Sequence, residues 1–320
     1  MNITVIGCGR WGSLITWYLD SIGHSLRLYG RAGSAHMKQF RETRRNDFLE
    51  LPLSVELTSD LAHAMECDTI VISVDSQSLR GLCVELLPYA PRGKTFVLCM
   101  KGIEVDTGKR LTEIAGEYLG AENHVAIWVG PGHVQEFYRG VPNCMVIDSE
   151  NEEVKRCLVD AFSSELIRFY YGDDLLGNEI GAASKNVIGI AAGLLDGMDR
   201  SALKGALMSR GTREIARLIK AMGGNELSAY GLCHLGDYEA TVFSHFSQNR
   251  QFGESFARGE SYAKLAEGYY TVKALRVLSE RYAVELPICH AVYSILYEHA
   301  DPAETMNALF RRRVTNELHK

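Results

Sequence analysis

Through the first half of the chain, short runs of apolar and β-branched residues alternate with longer stretches of helical spacing. Residues 3–6, 25–29, 69–74, 95–99 and 125–129 are nearly continuous in such residues, as strands covered on both faces should be. Helical patterns fall between them at 11–22, 76–87 and 107–119. Residues 143–148 and 166–171 add two further strands, with a helix over 152–163. Strand–helix–strand alternation predicts a parallel, doubly wound α/β sheet. From about Gly177 the strand signal nearly vanishes, and 178–196, 203–222 and 271–282 carry helical spacing. The turn-rich Tyr171-Gly172-Asp173-Asp174 precedes the change. The chain therefore divides into a Rossmann dinucleotide-binding domain, 1–176, and an all-helical domain, 177–320. The aromatic residues Phe243, Phe246, Tyr269 and Tyr270 read as packing.

Composition removes several function classes. A formal net charge of −6 leaves no basic surplus to displace counterions from nucleic acid, and the short Arg clusters at 44–45 and 311–313 read as solvated surface. Eight cysteines without C-x-x-C spacing, several inside apolar runs, suit reduced, buried thiols. The ten histidines show no ligand spacing, so no metal is expected. No secretory pattern and no bilayer-length apolar run are visible, which predicts a cytoplasmic protein without a membrane span.

Gly7-Cys8-Gly9-Arg10-Trp11-Gly12 follows the first strand directly and opens a helix. In that context each glycine of a G-x-G-x-x-G has its own role. Gly7 makes the tight turn, Gly9 lets a pyrophosphate approach, and Gly12 allows close helix–strand packing. The helix N-terminus presents free N–H groups and a positive dipole end to phosphates. At the end of the second strand stands Leu28-Tyr29-Gly30-Arg31, with no carboxylate for a ribose 2′-hydroxyl. Arg31 suits a 2′-phosphate, so NADPH should bind at least as well as NADH; the alternative is an Arg31 that merely faces solvent.

The helix around Lys185 is unusual in its glycine content, which costs about 1 kcal/mol per Gly relative to Ala. Lys185 lies four residues from both Gly181 and Gly189, on one ridge. Such a ridge implies close approach of a ligand or of the other domain; a Lys at the rim of a tight helix pair is the bland alternative.

At this point the sequence resembles the bacterial NAD(P)-dependent sn-glycerol-3-phosphate dehydrogenase family. The resemblance runs through most of the chain: Gly7 to Gly12 with Trp11, Ser76-Gln77-Ser78-Leu79-Arg80, Lys101-Gly102-Ile103-Glu104, Gly130-Pro131, and Lys185 to Ile188. It continues with Ser209-Arg210-Gly211, Leu235-Gly236-Asp237 with Thr241, Asn249 to Gly253, Glu267-Gly268 and Glu285-Leu286-Pro287. The resemblance implies reversible reduction of dihydroxyacetone phosphate to sn-glycerol 3-phosphate for phospholipid synthesis, and, as family members are often dimers, a homodimer. It implies Lys185 as general acid–base, Lys101 as a catalytic-site lysine that helps hold the substrate, and Asp237 and Thr241 as completing the reacting end. Gly130, Gly132, Ser247, Gln248, Asn249 and Arg250 would meet the substrate; Arg10, Lys101, Val134, Gln248, Leu265 and Glu267 would line the cofactor. These roles agree with the chemistry, because hydride delivery to a ketone builds negative charge on its oxygen and a nearby ammonium stabilises that charge and donates the proton. Two lysines in one cleft repel, which should depress one pKa, and an Asp limits the depression.

Two departures fall where the family holds the substrate's head group. Gln248 stands where the family has Arg, and Gly132-His133 where it has Ser or Thr and an aromatic residue. An amide lacks the charge and fork of a guanidinium. Three readings stay open: Arg250 or His133 takes over the phosphate, the substrate is a different small hydroxyketone, or the enzyme is a weaker one on the same substrate. A 2-dehydropantoate-reductase-like ketone reductase and a non-catalytic NADPH-binding protein are the alternatives outside the family. For the nucleotide, Arg31→Ala should raise the Michaelis constant for NADPH relative to that for NADH, and an unchanged ratio removes Arg31 from the site.

Overall fold

A computed structural model describes residues 1–313, 316 and 317. Eight strands form one sheet: β1 (Asn2–Ile6), β2 (Ser25–Tyr29), β3 (Glu56–Thr58), β4 (Thr69–Ile72), β5 (Thr95–Leu98), β6 (His124–Val129), β7 (Asn143–Ser149) and β8 (Ile167–Tyr171). Their spatial order is β3-β2-β1-β4-β5-β6-β7-β8. The sheet is parallel from β3 to β6, then β7 pairs antiparallel with β6 and parallel with β8. Helices α1 (Arg10–Ser21), α2 (Ala35–Thr43), α3 (Leu61–Ala64), α4 (Leu79–Leu86), α5 (Leu111–Leu119), α6 (Val134–Tyr138) and α7 (Glu152–Phe162) connect the strands. The reversal at β7 follows from its connection: five-residue α6 is too short to carry the chain back across the sheet for another parallel strand.

Chain order reverses between β1 and β4, and the register there is even: Ile6 lies beside both Tyr29 and Ile72. Gly7 N donates to Tyr29 O at 3.0 Å and Ser73 N to Ile6 O at 2.8 Å, so the three strands end together and leave a crevice at their carboxyl edge. Gly7 turns there with φ +112°, and a Cβ at this position would enter the Ser73 carbonyl.

The second half is helical: α8 (Leu175–Gly197), α9 (Lys204–Ala221), α10 (Gln248–Ala257), α11 (Glu267–Arg281), α12 (Pro287–Tyr297) and α13 (Pro302–Phe310). All but a few residues of α8 are buried, and α8 forms the axis on which α9, α10 and α11 pack. Its small residues permit this. A Cβ on Gly193 would run into the Arg250 carbonyl of α10, and one on Gly253 into the Ile190 carbonyl of α8. At the two glycines of the Gly181–Gly189 ridge the close approach is made from within the helical half. It comes from the 233–249 segment, with His234 beside Gly181, and Thr241 and Asn249 beside Gly189. One apolar core fills the helical half and two others lie against the sheet.

Several short elements go beyond the pattern reading. Edge strand β3 has three residues, too few to show a period, and α2 buries only Met37 and Phe40. The helix expected over 107–119 begins at Leu111, because Thr107–Arg110 turns back against Glu104. Of the aromatic residues read as packing, Phe243 and Tyr270 are exposed. Gly193→Val should therefore destabilise the fold by about 1–3 kcal/mol through overpacking at the α8–α10 contact. Gly116→Ala, in α5 with open space at its Cβ, should stabilise by about 0.5–1 kcal/mol. Urea unfolding of the two variants checks both signs.

Candidate active site

The helical half closes over the carboxyl edge of the sheet, and polar contacts across the seam fix it there. Buried Glu179 of α8 accepts from Arg110 Nη1 at 2.7 Å, Thr112 N at 3.0 Å and Thr112 Oγ1 at 2.6 Å. Glu267, at the start of α11, accepts from Ser76 N at 3.2 Å and Ser76 Oγ at 2.5 Å, and burial pushes its carboxyl pKa up. Between these contacts lies a cleft of ≈ 280 Å³.

Asp237 is buried and, like Gly130, does not itself line the cleft; it lies behind two lysines that do. Its Oδ2 lies 2.8 Å from Lys101 Nζ of the sheet domain and 2.8 Å from Lys185 Nζ of α8. Lys101 Nζ also donates to Gly130 O at 2.5 Å, and Lys185 Nζ to Thr241 Oγ1 at 2.6 Å. Thr241 is carried by a π-helical turn, Glu239–Phe243. Asn186 Nδ2 donates to Lys101 O at 3.0 Å, Asn249 Nδ2 to Asn186 Oδ1 at 3.0 Å, and Gly268 N to Asn249 Oδ1 at 2.9 Å. This chain of amides locks both lysines to α10 and α11. Asp237 Oδ1 is buried with no hydrogen-bond partner. Lys185 is lowered to a pKa of about 8, chiefly by burial; the Asp237 carboxylate opposes that shift and the Lys101 ammonium adds to it. The depression, the part played by Lys101 and the restraint by Asp237 agree with the expectation from sequence; burial, which that expectation did not include, is the larger cause.

Arg10, Trp11, Lys101, Gly132, Val134, Lys185, Thr241, Ser247, Gln248, Asn249, Leu265 and Glu267 all line the cleft. Gly7, Gly9 and Gly12 form the β1–α1 turn at the adjoining crevice. The fit to a dinucleotide rests on that turn: Gly7 presses against the Ser73 backbone, and α1 opens with Gly9 as its N-cap and no side chain capping its free N–H groups.

Two arginines stand apart. Arg31 is exposed and pairs with Glu85 at 2.8 Å, a contact worth at most about 1 kcal/mol that a competing phosphate can replace. Arg250 does not line the cleft: its Nη1 pairs with Asp196 at 2.7 Å and Glu254 at 2.9 Å, and its Nε donates to Ser244 O at 3.1 Å. Both carboxylates also pair with other cations, Asp196 with Lys204 and Glu254 with Arg258, so Arg250 is held in an ion network outside the cleft. His133 does line the cleft, with a buried Nε2 that has no partner. Burial, then the Lys185 and Arg10 charges, push its pKa down to about 4, so at neutral pH it offers a hydrogen bond without a charge. The missing hydroxyl at Gly132 also has a steric reason: φ is +135°, and a Cβ would enter the Phe137 ring.

Pattern reasoning from the sequence did not single out Ser73, Val74, Cys99, Met100, Asn186, Ala240 and Phe246, which also line the cleft. The first four follow or end β4 and β5, and a position just beyond a parallel strand was the available signal. Phe246, read as packing, lies 5.5 Å from His133, ring to ring.

A Rossmann sheet joined to a helical domain, with lysines converging on one carboxylate at the crevice, defines a two-domain nicotinamide-dependent dehydrogenase. The chain belongs to the NAD-dependent glycerol-3-phosphate dehydrogenase family, whose N-terminal model matches residues 2–155 and whose C-terminal model matches 174–307. It is 35% identical to "Glycerol-3-phosphate dehydrogenase [NAD(P)+]" of Thermoanaerobacter sp. (strain X514), over 100% of this chain and 99% of that one. It is 33% identical to the protein of that name from Anaeromyxobacter dehalogenans (strain 2CP-C), over 99% and 100%. The crystal structure of glycerol-3-phosphate dehydrogenase from Coxiella burnetii superimposes with a TM-score of 0.92 at 26% identity, covering 97% of this chain and 99% of that one. A ketopantoate reductase from Ralstonia eutropha JMP134 shares the fold at a TM-score of 0.64 and 15% identity. Among the described residues no helix is long and apolar enough to cross a membrane.

Asp237→Asn should leave two ammonium groups around a neutral amide, a loss of about 3–5 kcal/mol for a broken buried pair. The loss should be smaller at pH 9 than at pH 7. A lysine whose folded pKa lies below its unfolded value gains relative stability as pH rises between the two. Denaturant unfolding at both pH values checks this, and an equal loss at each would contradict it.

Proposed function

We propose that this chain catalyses the reversible reduction of dihydroxyacetone phosphate to sn-glycerol 3-phosphate, with Lys185 as the proton donor. The observation that carries it is the pair of ammonium groups sharing Asp237 Oδ2 at 2.8 Å inside a cleft beside a dinucleotide turn. Residues 1–176 hold the cofactor and 177–320 the substrate, the last of these lying outside the described residues. When bound, the reduced nicotinamide supplies a hydride to the carbonyl carbon.

Lys185 donates its proton to the carbonyl oxygen as negative charge develops there. With a pKa of about 8 its ammonium is a stronger acid than an exposed lysine, yet it stays mostly protonated at neutral pH. Lys101, held by Gly130 O and Asp237, keeps a second positive charge beside the same oxygen. Asp237 offsets one of the two positive charges and orients both ammonium groups. Thr241 fixes the direction of Lys185 Nζ, and Glu267, Val134 and Leu265 bound the cofactor side of the cleft. Supplying the glycerol backbone of phospholipids is the corresponding role, in the cytoplasm and as a homodimer. The eight cysteines, all free, suit a reducing compartment.

The reaction direction sets the sign of the pH dependence. Reduction needs the Lys185 ammonium, so its kcat/KM should fall as pH rises through about 8; oxidation needs the free amine and should rise through the same range. Lys185→Ala should lower turnover by about 10²–10⁴-fold and leave NADPH binding, followed by fluorescence, within a few-fold. Near-normal activity in that variant, or parallel pH profiles in the two directions, would remove Lys185 from the role.

A further inference from the structure

A phosphate ester brings a dianion into the cleft, and the cations that the sequence offers are otherwise engaged. Lys101 and Lys185 share the Asp237 carboxylate and face the carbonyl end. Arg250 is paired with Asp196 and Glu254, away from the cleft lining. Gln248 is neutral, and its Oε1 accepts from Tyr262 OH at 2.7 Å. One more cation lines the cleft: half-buried Arg10, from the other domain. Its guanidinium lies over the Phe48 ring at 5.0 Å and donates to the neutral Gln135 at 2.8 Å, and among the described residues no carboxylate pairs with it. The N-terminus of the ten-residue α10 contributes Ser247, Gln248 and Asn249 to the lining of the same cleft. Ser247 Oγ caps the Arg250 N–H there at 3.3 Å, and the helix dipole favours an anion at the rest of the first turn. His133 stands among these groups, with its buried Nε2 unpartnered and the charges of both Lys185 and Arg10 within reach.

We propose that Arg10 is the phosphate-binding cation of this enzyme: the substrate's phosphate lies between the Arg10 guanidinium and the start of α10, in place of a guanidinium at position 248. The proposal deepens the functional reading above and rests on it for the identity of the substrate. Because the charge comes from the first turn of α1, substrate binding ties the two domains together across the cleft. The competing assignment is that Arg10 serves only the cofactor's pyrophosphate, which also approaches the start of α1.

The test compares wild type, Arg10→Gln and the double variant Arg10→Gln/Gln248→Arg. In Arg10→Gln the Michaelis constant for dihydroxyacetone phosphate should rise about tenfold to a hundredfold, the span a lost charge-assisted hydrogen bond gives. The NADPH dissociation constant, read by fluorescence titration, should move less than about threefold, since a backbone turn and a helix N-terminus remain for the pyrophosphate. Restoring a guanidinium at 248 should recover at least half of the loss on a logarithmic scale. Weakened NADPH binding with an unchanged substrate constant would overturn the proposal and give Arg10 to the cofactor. Failure of the double variant to recover any of the loss would also overturn it. Calorimetric titration of inorganic phosphate into the enzyme–NADPH complex separates this inference from the functional reading. Phosphate that binds wild type and binds Arg10→Gln at least tenfold more weakly supports the anion site even if wild type does not reduce dihydroxyacetone phosphate. Equal phosphate binding by the two proteins would overturn it whatever the substrate.

Discussion

One carboxylate oxygen, Asp237 Oδ2, accepts from two ammonium groups that arrive from different domains, and the geometry of the cleft follows from that shared contact. Burying either lysine alone would cost several kcal/mol, so neither cation is held in place without the anion between them. The arrangement carries a net positive charge of one while Lys185 is protonated. In the function proposed above, that surplus would meet the charge that grows on a carbonyl oxygen during reduction. Burial lowers the Lys185 pKa and Asp237 restrains the fall, leaving an ammonium that is present at neutral pH and more acidic than that of an exposed lysine.

Holding that contact in register requires a rigid seam. Helix α8 supplies it by accepting glycines that weaken it as an isolated helix. In return α10 approaches until backbone meets backbone at Gly193 and Gly253, and Thr241 and Asn249 reach the ridge beside Lys185. The amide chain Asn186–Asn249–Gly268 and the buried Glu179 then fasten α8 to its neighbours and to the sheet. Helix propensity yields locally to packing that places two amines on one carboxylate.

Charge at the other end of the cleft is distributed differently. Arg250, adjacent in sequence to the cleft-lining Asn249, is engaged in joining α8 and α10 through Asp196 and Glu254. His133 is neutral there, and Gly132 leaves no room for a hydroxyl-bearing side chain. Arg10, more than 230 positions earlier in the chain, is the cation without an anionic partner among the described residues of that cleft. Specificity for an anionic head group is thus a property of how the domains meet.

The class of fold was legible from residue order alone, because burial on both faces forces near-continuous apolar strands, and a G-x-G-x-x-G between strand and helix leaves little freedom in how the chain turns. Glycine spacing singled out Lys185, whereas Lys101, Asp237 and Thr241 were pointed to by the family resemblance, which rests on motifs in one-dimensional order. Elements too short to show a period, such as β3, and the antiparallel turn into β7 were not legible, because pairing direction depends on how far a connection can reach. Nor was the head-group cation. Whether Arg10, His133 or Arg250 is available to an anion depends on which carboxylates fold against each and how much water remains around it. Folding in three dimensions settles that, by bringing residues distant along the chain within reach of one another's charge.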